Sequence, residues 1–174
     1  MRLMRLFTNY IDTPIGKMVS ISDDSYLYLL QFTDSKKLDL RIQQVCKFYK
    51  AELVEQPTAV YLTLKKQLTA YFLKEIDTFS VPLVLNGTSF QKQVWNILQS
   101  THSGELLTYK KIAELLGSSG KSQAVGNANG ANKIAIIIPC HRVINASGSL
   151  GGYAGGLSRK MFLLSLESKN VTLF

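Results

Sequence analysis

TYKKIAELLGSSGKSQAVGNAN, residues 108–129, reads as two short helices joined by a tight polar turn. Thr108 is a favourable N-cap. Tyr109, Ile112, Ala113 and Leu116 then recur at i, i+3, i+4 and i+7, the spacing of one helix face. Gly117 stops this helix, and Ser118-Ser119-Gly120 turns the chain into Lys121–Asn129. Two helices across a glycine-containing turn form a helix-turn-helix pattern. The second helix is unusual in composition. Gln123, Ala124, Val125, Gly126, Asn127, Ala128 and Asn129 give it a surface of small, uncharged residues. Such a surface offers little to a hydrophobic core, yet it lets the backbone approach another molecule closely. A loosely packed surface helix would have the same composition.

Downstream, Ile134–Ile138 is an unbroken apolar run, consistent with a buried segment. It ends at Pro139-Cys140-His141-Arg142-Val143. A cysteine closing a buried run beside a histidine is a candidate nucleophile. A free thiol ionises near pH 8.5, so a usable thiolate at neutral pH needs a base or a positive environment. His141 can supply the base if an acid orients it. The second half of the chain holds only Glu105, Glu114 and Glu167 as acids. Glu167 is the best placed, on a last amphipathic helix, Ser158–Ser168, expected to bury Met161, Leu164 and the nearby Leu157. By itself the pair reads more readily as a structural thiol next to a solvated histidine.

Upstream, Thr88-Ser89-Phe90-Gln91 fits a capping box, with Thr88 as N-cap. The helix it opens is expected to turn Phe90, Val94, Ile97 and Leu98 inward. Asn86-Gly87 is a turn signal and the expected domain boundary, preceded by Val81–Leu85. The first third reads as strands: Leu3–Ile11, Gly16–Ile21 and Tyr26–Phe32 are rich in β-branched and aromatic residues and are separated by turn sequences. Two helical patterns follow. One carries Leu38, Ile42, Val45 and Tyr49; the other carries Tyr61, Leu64, Leu68, Tyr71 and Phe72.

Charge separates the two parts. Residues 1–85 hold 11 Lys and Arg against 9 Asp and Glu, a net of +2, whereas residues 86–174 hold 9 against 3, a net of +6. A basic half poor in acids suggests a polyanionic partner, nucleic acid being the commonest, although solubility charge would look the same. No stretch approaches the ~18 apolar residues of a membrane span. Met1–Tyr10 lacks the long apolar core of a signal peptide and reads as a strand. Two cysteines make no disulfide framework, so a reducing compartment is expected.

Ile138-Pro139-Cys140-His141-Arg142-Val143-Ile144 resembles the active-site signature of the O6-alkylguanine-DNA alkyltransferase family. The resemblance continues through Gly148, Gly151, Tyr153, Gly155, Gly156 and Leu157 to Glu167. Upstream it includes Thr108-Tyr109, Ala124-Val125-Gly126, Ala128-Asn129 and Asn132. It implies an α/β (α+β) chain: a ribonuclease-H-like, strand-rich domain over 1–85, then a helical domain over 86–174 with a winged-helix-like helix-turn-helix. It further implies direct, single-turnover DNA repair. An alkyl group, typically methyl, would pass from the O6 of guanine (or the O4 of thymine) to Cys140, which is consumed. His141 would deprotonate Cys140 through a water, with Glu167 fixing its tautomer. Tyr109 would donate a proton toward the departing base and help turn the nucleotide out. Asn132 would brace the helix-turn-helix against the active-site segment.

For the substrate pocket the resemblance implies backbone acceptors at Cys140 and Val143, and a cover of Gly151, Tyr153, Ala154 and Gly155. For DNA it implies contacts from Lys121, Gln123, Ala124, Gly126, Asn127, Ala128, Asn129 and Arg142. The expected partner is double-stranded DNA containing O6-alkylguanine, bound by a monomer in the cytoplasm, or in the nucleus of a eukaryote. No cofactor is implied. Some members hold zinc in the first domain, but residues 1–85 contain Cys46 and no histidine, so no metal is expected. Three positions depart from the family pattern. Gln123 stands where an arginine usually fills the gap left by the flipped base, Lys133 where proline is usual, and Ala154 where serine is common. A related group binds alkylated guanine without repairing it and signals to another pathway; its members typically lack the cysteine. Cys140 argues against that alternative, and Cys140, His141 and Glu167 together argue against a purely regulatory helix-turn-helix protein.

Overall fold

Thr13-Pro14-Ile15-Gly16 closes the first hairpin of the computed structural model, which describes residues 3–168. The Thr13 hydroxyl donates to the Gly16 carbonyl at 2.6 Å, joining β1 (Met4–Thr13) to β2 (Gly16–Ser22). A second turn leads to β3 (Leu27–Phe32), with Asp23 Oδ1 accepting from the Ser25 and Tyr26 amides at 2.7 Å. These three strands are antiparallel. After α1 (Leu38–Tyr49) the chain returns as β4 (Ala51–Glu55), parallel to β1, so the sheet order is β3-β2-β1-β4. Sequence periodicity misses β4. It is a five-residue edge strand paired with β1, and only Ala51 and Leu53, half-buried against the core, mark its inner face.

Leu6, Val19, Ile21, Tyr28 and Leu29 meet Val45 of α1 in a core flanked by Leu38, Ile42 and Tyr49, the face expected from their spacing. Ser22 Oγ lies 2.7 Å from the Oγ1 of Thr58, which caps α2 (Ala59–Phe72). That cap sets the phase of α2. Val60, Leu64, Leu68 and Tyr71 are buried, while Tyr61 is only partly so.

The chain divides into two compact units, Met1–Asn86 and Gly87–Phe174. The second opens with the capping box on α3 (Ser89–Gln99), in which Thr88 Oγ1 accepts from the Gln91 amide and the Gln91 side chain returns to the Thr88 amide. Its inward residues are Val94, Trp95 and Leu98, with Phe90 and Ile97 half-buried. Trp95 therefore takes the central place that the apolar spacing gave to its neighbours. Its Nε1 donates to the Ala128 carbonyl at 2.9 Å, and Gly87 packs on its ring where a Cβ would come within 2.4 Å. Trp95 thus ties α3 to the end of α5 (Ser122–Gly130). Between them lie β5 (Leu107–Thr108) and α4 (Tyr109–Leu115), capped by Thr108. Ile134–Ile138 is buried but folds as tight turns rather than a strand. A 3-10 turn, Cys140–Arg142, then leads to β6 (Val143–Ile144), parallel to β5, and the described chain ends with α6 (Leu157–Glu167).

On α6 the buried residues are Lys160, Leu163, Leu164 and Glu167; Met161 and Leu157, expected inside, are 40% and 52% exposed. The fold is thus mixed α/β, with a four-stranded sheet and six α-helices among the described residues. No helix there is long and apolar enough to cross a membrane.

Candidate active site

Cys140 sits at the start of the 3-10 turn, 4% exposed. Two asparagines from the end of the helix-turn-helix hold it. Asn129 Nδ2 donates to the Cys140 carbonyl at 3.3 Å. Asn132 Nδ2 donates to the Ile138 carbonyl at 2.9 Å and to Cys140 Sγ at 3.2 Å, while its Oδ1 accepts from the Ile134 amide at 2.9 Å. Asn132 therefore fixes both ends of the buried turn segment and aims a donor at the sulfur.

His141 is fully buried, and its Nε2 lies 2.9 Å from Glu167 Oε1. Nδ1 is buried with no protein partner among the described residues. Burial pushes the imidazole pKa below its usual value, with Glu167 opposing and Arg142 and Lys160 reinforcing that direction. Glu167 behaves differently. Burial alone would raise its pKa, but hydrogen bonds from His141 and Arg142 outweigh burial and hold it at about 2. The pair is thus a neutral imidazole against an ionised carboxylate.

Tyr109 opens α4 beside this centre. A Cβ at Gly126 would lie 3.9 Å from its ring, and one at Gly151 would lie 3.3 Å from its hydroxyl. Gly151, at φ +68°, thus gives both the left-handed backbone and the close approach that a larger residue would deny. Burial and the nearby Cys140 raise the Tyr109 pKa, partly offset by a hydrogen bond from Asn129, so its hydroxyl keeps its proton at neutral pH. Tyr153 stands edge-on to His141, ring centres 6.4 Å apart. Ala154 is exposed and Gly155 half-buried in the same loop.

Arg142 departs from its expected place on the DNA surface. It is 6% exposed and directed inward, with Nε and Nη2 donating to Glu167 at 2.9 Å each and Nη1 to the Thr101 carbonyl at 2.5 Å. A guanidinium so engaged and so deeply buried presents no open face to a phosphate. Lys121, just before α5, and Gln123 and Asn127 on it are exposed, Ala124 and Gly126 half-exposed, and Val125, Ala128 and Asn129 buried. Ala128 and Asn129 hence belong to the support of the site rather than to an outer surface.

Sequence reasoning missed Lys160. It is fully buried, and its Nζ donates to the carbonyls of Val143 (2.6 Å), Leu150 and Gly152 (3.3 Å). Burial lowers its pKa to about 8, with Cys140 opposing. The Val143 carbonyl, expected to face substrate, already accepts this bond and keeps one lone pair. The signal was present: Lys160, Leu163, Leu164 and Glu167 follow i, i+3, i+4, i+7, which puts a lysine on the apolar stripe. Among the described residues, no group of three or more His, Cys, Asp or Glu is placed to hold a metal.

Comparison with known proteins places this geometry. A family model described as "6-O-methylguanine DNA methyltransferase, DNA binding domain" matches residues 89–169. A methylated-DNA–protein-cysteine methyltransferase of Mycolicibacterium paratuberculosis is 42% identical over 168 residues, covering 94% of this chain and 96% of the relative. One from Methanosarcina acetivorans is 42% identical over 156 residues, covering 90% and 94%. The crystal structure of Mycobacterium tuberculosis OGT in complex with DNA superposes with a TM-score of 0.79 at 38% identity, covering 92% of each chain.

Proposed function

The chain belongs to the methylated-DNA–protein-cysteine methyltransferase family, and we propose that it repairs DNA by moving an alkyl group from the O6 of guanine to Cys140. One observation carries the reading: a buried thiol follows a donor-rich turn and precedes a histidine whose far nitrogen is fixed on an ionised glutamate 2.9 Å away.

The thiol proton passes from Sγ through a water to His141 Nδ1. The Asn132 amide steadies the thiolate, because a hydrogen bond to the charged form favours it. Sγ attacks the alkyl carbon; the S–C bond forms as the C–O6 bond breaks, and the electron pair stays with the guanine. Tyr109, still protonated, donates toward the ring and neutralises the leaving base. The product is a thioether that no neighbouring group can hydrolyse, so each molecule acts once. An alkylated base within the stack is out of reach, so the nucleotide is first turned out of the duplex. The Gln123–Asn127 face of α5, with Lys121 before it, lies along the DNA, where small residues permit close approach in the minor groove. Gly151, Tyr153, Ala154 and Gly155 cover the pocket, with Lys160 fastening the near end of that loop.

At the level of fold, the order β3-β2-β1-β4, with only β4 parallel to its neighbour, supports a ribonuclease-H-like first domain, residues 1–85. The α4–α5 pair beside the small β5–β6 sheet supports a winged-helix-like arrangement in the second, residues 86–174. Incubation with duplex DNA carrying O6-methylguanine, followed by intact mass measurement, tests the reading. One methyl group per protein, lost in Cys140→Ala, is expected. Repeated turnover with an unmodified Cys140 would refute it.

A further inference from the structure

Arg142 is left without a part in this chemistry. It follows His141 in the same 3-10 turn, and both side chains end on one carboxylate: His141 Nε2 at Oε1, Arg142 Nη2 at Oε1 and Arg142 Nε at Oε2 of Glu167, each at 2.9 Å. The third nitrogen is fixed on Thr101. The fork covers both oxygens and sets the plane of the carboxylate.

A base must be empty before it can accept a proton. Glu167 alone would draw a second proton onto His141, since an opposite charge at hydrogen-bond distance raises such a pKa by about 1–3 units. Burial opposes this, but a carboxylate matched by no cation would bring imidazolium into the neutral range. Arg142 places a positive charge on the same carboxylate, so His141 faces a neutral pair. Glu167 and Lys160 of α6, Arg142 and Cys140 of its own turn, and the ring of Tyr153 surround His141. Burial, Arg142 and Lys160 oppose imidazolium, and Glu167 favours it.

We propose that Arg142 is a positioning residue that keeps His141 neutral by balancing the charge of Glu167 while its fork aims that carboxylate at Nε2. The kinetic part rests on the alkyl-transfer reading above; the protonation state of His141 does not.

The chain has two histidines, so nitrogen-15 NMR of labelled histidine reads His141 directly once His102→Gln assigns the other. In the unaltered protein, His141 should be neutral, carry its proton on Nε2, and show no titration between about pH 5 and 8. In Arg142→Met its titration should rise into that range, and Arg142→Lys should return it most of the way, because charge rather than shape is being restored. Arg142→Gln replaces Arg142→Met if melting shows that the latter does not fold. A titration raised to about pH 7 leaves about a tenth of the imidazole neutral at pH 6, so transfer by the charge-free variant should fall about 10-fold there and stay within about 3-fold near pH 9. A merely structural role would lower the rate equally at every pH. An imidazolium in the unaltered protein at neutral pH, an unchanged titration in a folded charge-free variant, or no rescue by lysine would each overturn the proposal. If His141 behaves as stated but Cys140 gains no alkyl group, the alkyl-transfer reading fails and the role of Arg142 stands.

Discussion

Replacing Asn132 by alanine should damage stability and chemistry by separable amounts. Asn132 is 3% exposed, and its partners include the Ile134 amide, the Ile138 carbonyl and Cys140 Sγ. Alanine orphans the buried Ile134 amide, whereas the Ile138 carbonyl keeps its bond from the Cys140 amide at 2.8 Å. One such group costs about 1–3 kcal/mol, and a loss of that size is expected in urea unfolding of the second unit. The third bond concerns reactivity. Hydrogen bonds to charged groups contribute about 1.5–3 kcal/mol; at 3.2 Å to sulfur the lower end applies, which is about 10-fold in thiolate population and hence in rate. Single-turnover transfer to Cys140, measured without denaturant while both proteins are folded, reads this second effect. A stability loss below about 0.5 kcal/mol would refute the claim that Asn132 ties the turn segment together. A full stability loss with an unchanged rate would refute its action on the sulfur.

Glu167→Gln should slow transfer, because an amide cannot hold His141 as an ionised carboxylate does. It should also remove an acid sensitivity: the Glu167 pKa lies at about 2, below the unfolded ~4.3, so its stabilisation is present above about pH 4 and lost as pH falls toward 2, which acid titration of both proteins checks. Lys160 has the other consequence, since a lysine held at about 8 against ~10.4 unfolded makes the fold gain stability as pH rises between those values, a slope that Lys160→Met should flatten in melts across that range. Gln123→Arg should speed repair of duplex DNA, where a flat guanidinium can occupy the gap left by the base, and leave reaction with free benzylguanine unchanged; equal changes on both substrates would place Gln123 at the chemistry instead. Cys140→Ala should keep DNA affinity within a few-fold, with a steep salt dependence and little sequence preference, in binding titrations on unmodified duplexes.

The sequence alone determined what depends on neighbours along the chain. Helix phases at Leu38–Tyr49 and Tyr109–Leu116, the capping box at Thr88–Gln91, and the Cys140-His141 adjacency follow from local periodicity and covalent order. Glu167 was legible because so few acids exist in its half of the chain. Tertiary structure decided the rest. The strand Ala51–Glu55 exists because β1 offers main-chain partners, and two half-buried residues, Ala51 and Leu53, are too short a pattern to signal that pairing. Arg142 has the composition of a surface cation; only the arrival of Glu167, 25 residues later, gives it a reason to be buried. Lys160 likewise enters the interior because three carbonyls of a loop converge on its nitrogen. Burying a charge is unfavourable unless its partners are already in place, and partners from separate segments are brought together only by the finished fold.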